Sequence, residues 1–388
     1  MAFESTKREV GELFAFVQLL ADGKVSMGRA DGSSVHTVST ADDVVPTYGQ
    51  RRVIMVERME HDGPRRYLRA ADREVITIIS GSRDRSGRFM ESADVATREV
   101  SCALFRALAN ALLELLRSGN TQELVVPDDI EEVLDELKIY DLEANTDDRT
   151  DLTVTFDAPW CPAEGLVVRS RLGAMNPLLD GGRAANLKLE LTGIKFAVPT
   201  VNKVNALPES PDEVCQRMLM IERLGGVLRY ADVADKVFRC NLGMIDLHFG
   251  RLLAEMVRLM HLEDITRITQ LTERMEAINP LKIKEELITK HGYYRHKMRT
   301  FLLALALGLR PAKIYTGRPG AIGGMLLVQT DGSIVLYDIT DSDTFAEFLY
   351  QNSRLLKGDV EKDKYGFLER ENGVYYFKLN VKVGLLKR

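Results

Sequence analysis

The spacing of apolar residues along this chain changes period several times, and each change marks an element. Val10, Leu13, Phe14, Val17 and Leu20 fall at three- and four-residue steps and predict a helix from Glu9 to Ala21. Glu9 and Glu12 sit near its positive end, and Gly23 is a natural stop. Strands are predicted from Arg52 to Glu57 and from Glu74 to Ile79, with a basic turn, His61 to Arg66, between them. Ser92 as N-cap and Asp94 in a first turn predict a long helix, on which Val100, Leu104, Leu108, Leu112 and Leu116 recur until Gly119. Pro127 opens a shorter helix with Ile130, Val133, Leu134 and Leu137 inside. The period then drops to two. Leu152, Val154 and Phe156 alternate with Asp151, Thr153 and Thr155; after a connection through Trp160 and Pro162, Leu166 to Val168 ends on Arg169 and Ser170. Asn186 to Leu191 is a third strand.

Beyond residue 208 the helical period returns, over Pro211 to Leu224, Met244 to Met260, Asp264 to Ala277 and Lys297 to Leu309. Two strands follow, Met325 to Thr330 and Ser333 to Tyr337, joined at Asp331-Gly332. A short helix from Phe345 to Tyr350 precedes a long alternating strand, Val374 to Val383. The chain is of α+β class, and four segments are expected: a helix-and-strand region over 1–125, core strands over 126–205, a helical region over 206–310 and a strand-rich region over 311–388.

Composition narrows this picture without deciding it. The 388 residues are 45% hydrophobic and 28% charged, ordinary for a globular chain with ample core. No apolar run reaches the ~20 residues of a membrane helix, and Met1 to Arg8 is too polar for a signal core, so a cytoplasmic protein with no membrane partner is expected. Cys102, Cys161, Cys215 and Cys240 have no paired spacing, which argues against a zinc site or a disulfide framework. The net charge of −5 argues against nucleic-acid binding by bulk electrostatics, but not against a basic cleft offset by acidic outer faces.

The stretch around Asp151 carries the chemistry. Metal-dependent cleavage of a phosphodiester needs at least one carboxylate for a hard cation and a positive charge near the phosphate. Residues two apart on a strand share a face, so an acid and a cation two apart, beside an aspartate on the next strand, form such a site. Here Asp151 is the aspartate, Val167 stands where the second acid would be, and Arg169 is the cation. Arg171, Arg183, Lys188 and Lys195 flank it as candidate phosphate contacts; Arg295, Lys297 and Arg318 are candidates for reading bases.

Similarity to the HpaII-type restriction endonucleases runs from residue 8 to 383. Arg8 to Lys24 resembles the family's opening Gly-Glu-Trp-Ser-Glu-Leu-Tyr-Ala-Phe segment, with Glu9 and Glu12 at its two glutamates. Asn145 to Leu152 with Leu166 to Gly173 resembles its Lys-Ser-Asp-Ile and Ser-Ile-Lys-Ser-x-Leu-Gly motifs, and Asn186 to Leu191 its Thr-Asn-Phe-Ile-Tyr-Glu-Ile. Asn241 to Asp246, Tyr294 to Gly308 and Lys378 to Val383 match later motifs. The resemblance implies a restriction-endonuclease-like, PD-(D/E)XK-type mixed sheet flanked by helices. It also implies an endonuclease that uses magnesium or manganese to cut duplex DNA at a short palindrome, CCGG in the type member. A cognate DNA methyltransferase and a two-fold homodimer follow as expected partners.

Carried over by position, Asp151 is the metal-binding acid and Arg169 stands at the catalytic lysine. Val167 stands at a serine, so the second carboxylate comes from elsewhere: Glu190, Glu164, or one of Glu9 and Glu12. Glu190 is expected as the second metal ligand and Glu164 as a further catalytic acid, with Arg171, Arg183, Asn186 and Lys188 on DNA. The departures lie where the chemistry would be, since Glu143 and Arg149 also replace family lysines. Arginine keeps the electrostatic role and loses any acid–base role. The alternative expectation is therefore a cleavage-impaired homologue that binds DNA.

Overall fold

A computed structural model describes residues 3–35, 49–92, 97–118, 121–143, 150–158, 163–317 and 321–387. Expectations resting on Asp94, Gly119, Asn145, Arg149, Trp160, Cys161, Pro162 and Arg318 fall outside them. In chain order the first elements are β1 (Phe3–Thr6), α1 (Lys7–Asp22), β2 (Lys24–Met27), β3 (Gln50–Glu60), β4 (Gly63–Arg69), β5 (Val75–Arg83), β6 (Phe89–Glu91) and β7 (Arg98–Ser101). There follow α2 (Cys102–Arg117), β8 (Glu123–Val126), α3 (Asp128–Glu136), β9 (Leu152–Phe156), β10 (Glu164–Ser170), β11 (Leu179–Asp180) and β12 (Asn186–Thr192). Next come α4 (Val198–Asn205), α5 (Glu213–Arg223), β13 (Val227–Val233), α6 (Lys236–Gly243), α7 (Phe249–Glu263), α8 (Ile268–Ile278), α9 (Glu285–Thr289) and α10 (Tyr293–Ala306). The chain closes with β14 (Ile322–Val328), β15 (Ile334–Asp338), α11 (Ser342–Asn352), β16 (Ser353–Leu355), α12 (Val360–Asp363), β17 (Leu368–Glu371), β18 (Val374–Asn380) and β19 (Lys382–Leu385).

These elements form two compact units, neither continuous in sequence. The first takes 1–176, 319–345 and 387–388; the second takes 177–318 and 346–386. Each draws on several of the four segments expected from the sequence, because strands distant along the chain pair with one another.

The first unit is built on a ten-stranded sheet, among the described residues, ordered β2-β15-β14-β10-β9-β3-β4-β5-β6, with β7 also on β5. At its centre β10 runs antiparallel to β9 and parallel to β14, which arrives from the far end of the chain. Helix α1 lays Val10, Leu13, Phe14, Val17 and Leu20 against Val56, Val154, Leu166 and Val168 of the sheet and Phe105, Leu108 and Leu112 of α2, all in one buried cluster. The second unit holds an antiparallel sheet, β13-β12-β18-β17, a smaller one, β11-β19-β16, and helices that include α7, almost wholly apolar where it is buried.

Three expectations are corrected. The long helix starts at Cys102 with Ser101 as its cap, not at Ser92, because the alternation Arg98 to Ser101 pairs with β5 first. Met244 to Met260 is not one helix: α6 ends at Gly243, and α7 starts at Phe249. The closing strand divides at Val381, β18 joining one sheet and β19 another. The basic turn contributes a strand, β4, whose arginines the alternation rule passes over because carboxylates hold them: Arg66 bonds Glu57 at 2.7 Å and Arg65 bonds Asp62 at 2.5 Å. Strand β13 and helix α4 were likewise not expected. Among the described residues no helix is long and apolar enough to cross a membrane.

Candidate active site

Asp151 stands just before β9 and is fixed twice by β10. Its backbone N–H donates to the Leu166 carbonyl at 2.9 Å, and its Oδ2 accepts from the Val168 N–H at 2.6 Å. Arg169, two residues after Val167, donates from Nη1 to the Val168 carbonyl at 3.0 Å. Its Nε is buried and makes no hydrogen bond among the described residues. A buried guanidinium edge without an acceptor is costly, and a ligand oxygen would satisfy it.

The third member comes from α1. Thr6 caps this helix in a reciprocal box: its Oγ1 accepts from the Glu9 N–H at 3.3 Å, and Glu9 Oε2 accepts from the Thr6 N–H at 2.7 Å. Glu9 is thereby committed to the cap. Glu12, one turn on, points towards β10. Gly11 allows this approach, since a Cβ there would lie 2.9 Å from the Ser170 Cβ. Arg8 lies 3.7 Å from Glu12 and closes on Glu143 as well. Arg8, Glu12, Val168, Arg169, Ser170 and Asn176 line a recess of about 10 Å³, room for roughly one water.

The electrostatics of this group are those of acids short of positive charge. Burial, followed by repulsion from Asp151 and Glu143, pushes the Glu12 carboxyl up to about 8. Burial raises Asp151 to about 6, against the Val168 N–H and Arg169, which hold it down. Burial lowers the Arg169 guanidinium, with Asp151 and Glu12 opposing. Two carboxylates that resist ionising together would each be stabilised in the ionised form by a cation between them. Among the described residues no three histidine, cysteine or acidic side chains close on one point. Magnesium does not require that: it keeps waters and takes one or two carboxylates together with substrate phosphate oxygens. The all-oxygen donor pair fits such an ion.

The remaining expected residues are distributed elsewhere. Glu164 starts β10, opposite Val154 and 4.0 Å from Arg51, which itself bonds Asp338 at 2.8 Å. Arg171 donates to Gln329 at 2.6 Å just past β10. Arg183, Asn186, Lys188 and Glu190 belong to the second unit. Asn186 is buried there, donating to the Asp363 carbonyl at 2.8 Å and accepting from Asn380 at 2.8 Å, so it is a structural residue of that interior. Lys188 pairs with Glu371 at 2.5 Å, and Glu190 lies between Tyr376 and Arg229 on neighbouring strands. Arg183 bonds only weakly, 3.4 Å to the Lys362 carbonyl. The structure thus joins Asp151 and Arg169, adds Glu12, and within the first unit leaves Glu164 outside that group, at Arg51.

Comparison with known proteins decides the ancestry. The family model described as HpaII restriction endonuclease matches residues 6–385. The chain belongs to the HpaII restriction endonuclease family. Type II restriction enzyme HpaII of Haemophilus parainfluenzae is 25% identical over 389 residues, covering 99% of each chain. No solved structure matches. Within this type II restriction endonuclease family, Glu12 falls in the opening segment noted from the sequence. Its helical spacing gave no sign that it, rather than Glu9, would meet Asp151.

Proposed function

We propose that this protein is a divalent-metal-dependent endonuclease that cuts duplex DNA at a short palindrome, CCGG by analogy with the type member. In this reading Asp151 and Glu12 hold the cation and Arg169 holds the scissile phosphate. The observation that carries it is that Glu12 and Arg169, from separate segments, line one small recess, while Asp151, from a third, is held by the Val168 N–H next to Arg169 and acts electrostatically on both. The β9–β10–β14 arrangement, with α1 against it, supports a PD-(D/E)XK-type core.

A cation held there by Asp151 and Glu12 would offset the negative charge that develops on the phosphoryl oxygens and make nearby water more acidic. The protein's own part is positional. The Val168 N–H fixes the Asp151 carboxylate, and the α1 cap and Gly11 set the height of Glu12 over β10. Arg169 offers its unpaired Nε edge to a phosphate oxygen, and as a permanent cation it stabilises charge without moving a proton. Val167, 8% exposed, fills the usual place of the second acid, so Glu12 takes over that role.

Plasmid carrying unmodified CCGG sites, incubated with magnesium or manganese, is expected to give discrete fragments, and Asp151→Asn to give none. Intact plasmid with both metals at stoichiometric protein would remove the proposal. It would favour a DNA-binding homologue without cleavage, the reading that Val167 and the lysine-to-arginine change at 169 support. A methyltransferase that protects the same sites is the partner a cutting enzyme requires.

A further inference from the structure

The chain carries a net charge of −5, yet the hairpin between β5 and β6 has a tip that reads Arg83-Asp84-Arg85-Ser86-Gly87-Arg88. This turn is built, not loose. Asp84 Oδ1 accepts from the Ser86 N–H at 2.8 Å, the Ser86 hydroxyl at 2.6 Å and the Arg88 N–H at 2.9 Å. The Asp84 N–H donates to the Arg88 carbonyl at 3.0 Å, and Gly87 takes φ +79°, where a side chain would be strained. The one acid of the tip is therefore engaged within the turn.

The base of the hairpin is anchored and neutralised. Glu57, buried in β3, accepts Arg66 at 2.7 Å and Arg83 at 2.6 Å, and the Arg66 guanidinium lies 3.9 Å from the Phe89 ring centroid. Arg83 also donates to the Gly87 carbonyl at 2.8 Å. Arg85 and Arg88 are different. Both are exposed, and among the described residues neither is paired with a carboxylate. A hydrogen-bonded hairpin at the end of the strand order thus presents two exposed guanidinium groups against the single carboxylate of Asp84.

We propose that this hairpin is an arm that grips the sugar-phosphate backbone of duplex DNA through Arg85 and Arg88. The inference rests on the nuclease reading above for its choice of polyanion. Guanidinium forks match phosphate oxygens, and holding them on a stiff turn lowers the entropy lost on binding. Contacts to phosphate position the duplex and carry no sequence information. The arm therefore supplies affinity, not specificity.

The test measures binding of the full-length protein to two duplexes, one with a CCGG site and one without, in chelator so that nothing is cut, over a range of salt. Arg85→Ala with Arg88→Ala is expected to weaken both duplexes by the same factor. The slope of log affinity against log salt should flatten by about 1.8, roughly 0.9 for each lost phosphate contact. Arg85→Lys with Arg88→Lys should restore most of the slope, and thermal unfolding should not move, because both side chains are exposed. An unchanged slope in the alanine variant overturns the arm, as does a loss confined to the CCGG duplex, which would mean base reading. Failure of the unsubstituted protein to bind either duplex would sink the DNA reading itself, and is distinguishable because it appears before any substitution.

Discussion

Arginine stays cationic across the neutral range, so the pH response of this site between about pH 4 and 8 comes from the two acids facing it. Glu12 near 8 and Asp151 near 6 both lie above the ordinary carboxylate range. Folding thus favours their protonated forms. In metal-free protein this stabilisation is complete below about pH 4, the unfolded value, and is lost as pH rises through 6 and then 8. Glu12→Gln should flatten the upper part of that decline in a series of melting temperatures. Metal binding requires both acids ionised, so cleavage should increase from pH 6 to above pH 8, and the variant should lose that dependence with most of its activity. Arg169→Ala is expected to lower kcat by roughly 10²-fold, the usual size of losing one preorganised charge, whereas Arg169→Lys should retain part of it. Asp151 and Arg169 were legible in the sequence because strand alternation and a two-residue spacing are local. Glu12 was only one of several glutamates there: what selects it is packing against a strand far along the chain, which no local pattern encodes.

At the scale of the element, α1 does two jobs with one surface. Its apolar stripe was readable from the spacing of Val10 to Leu20, but the Thr6–Glu9 capping box, which opens the helix two residues before the predicted start, was not expected. The contact that aims it was not, since a glycine in a helix usually signals weakness. Gly11→Ala would press a methyl group on Ser170, 2.9 Å from its Cβ, at a cost of about 1–3 kcal/mol. Adding Ser170→Gly removes the clash, and the double variant should regain stability and cleavage together; failure to regain either would show that the approach of α1 to β10 does not set the site. Thr6→Ala should cost about 1 kcal/mol in denaturant unfolding by opening the capping box. The Ser92 misreading has the opposite origin: a sound capping residue precedes a stretch that sheet pairing claims first. Local signals nominate helix starts, and cross-strand hydrogen bonds overrule them.

For the whole molecule, the strand pattern identified β9, β10, β14 and β15 one by one but not their neighbours. That β14 from residue 322 onwards lies beside β10 is a statement about pairing across the chain, and alternation is silent on it. The result is a first unit interrupted by the second and completed only when the chain returns. A chain ending at residue 317 lacks β14 and β15 and leaves β10 with an open edge. It is expected to show no cooperative unfolding of the first unit and no cleavage, which calorimetry and the plasmid assay would show.

The return of β14 to β10 also sets a clock. A ribosome adding about 5–20 residues per second finishes α1 long before it reaches β14, leaving Glu12 waiting for some 15–60 s. Throughout that interval the sheet that carries Asp151 and Arg169 lacks the strand beside β10. On the proposed cleavage reading, the enzyme is therefore nearly complete before it can be armed, and a message broken upstream of β14 is expected to yield a fragment that does not cut DNA.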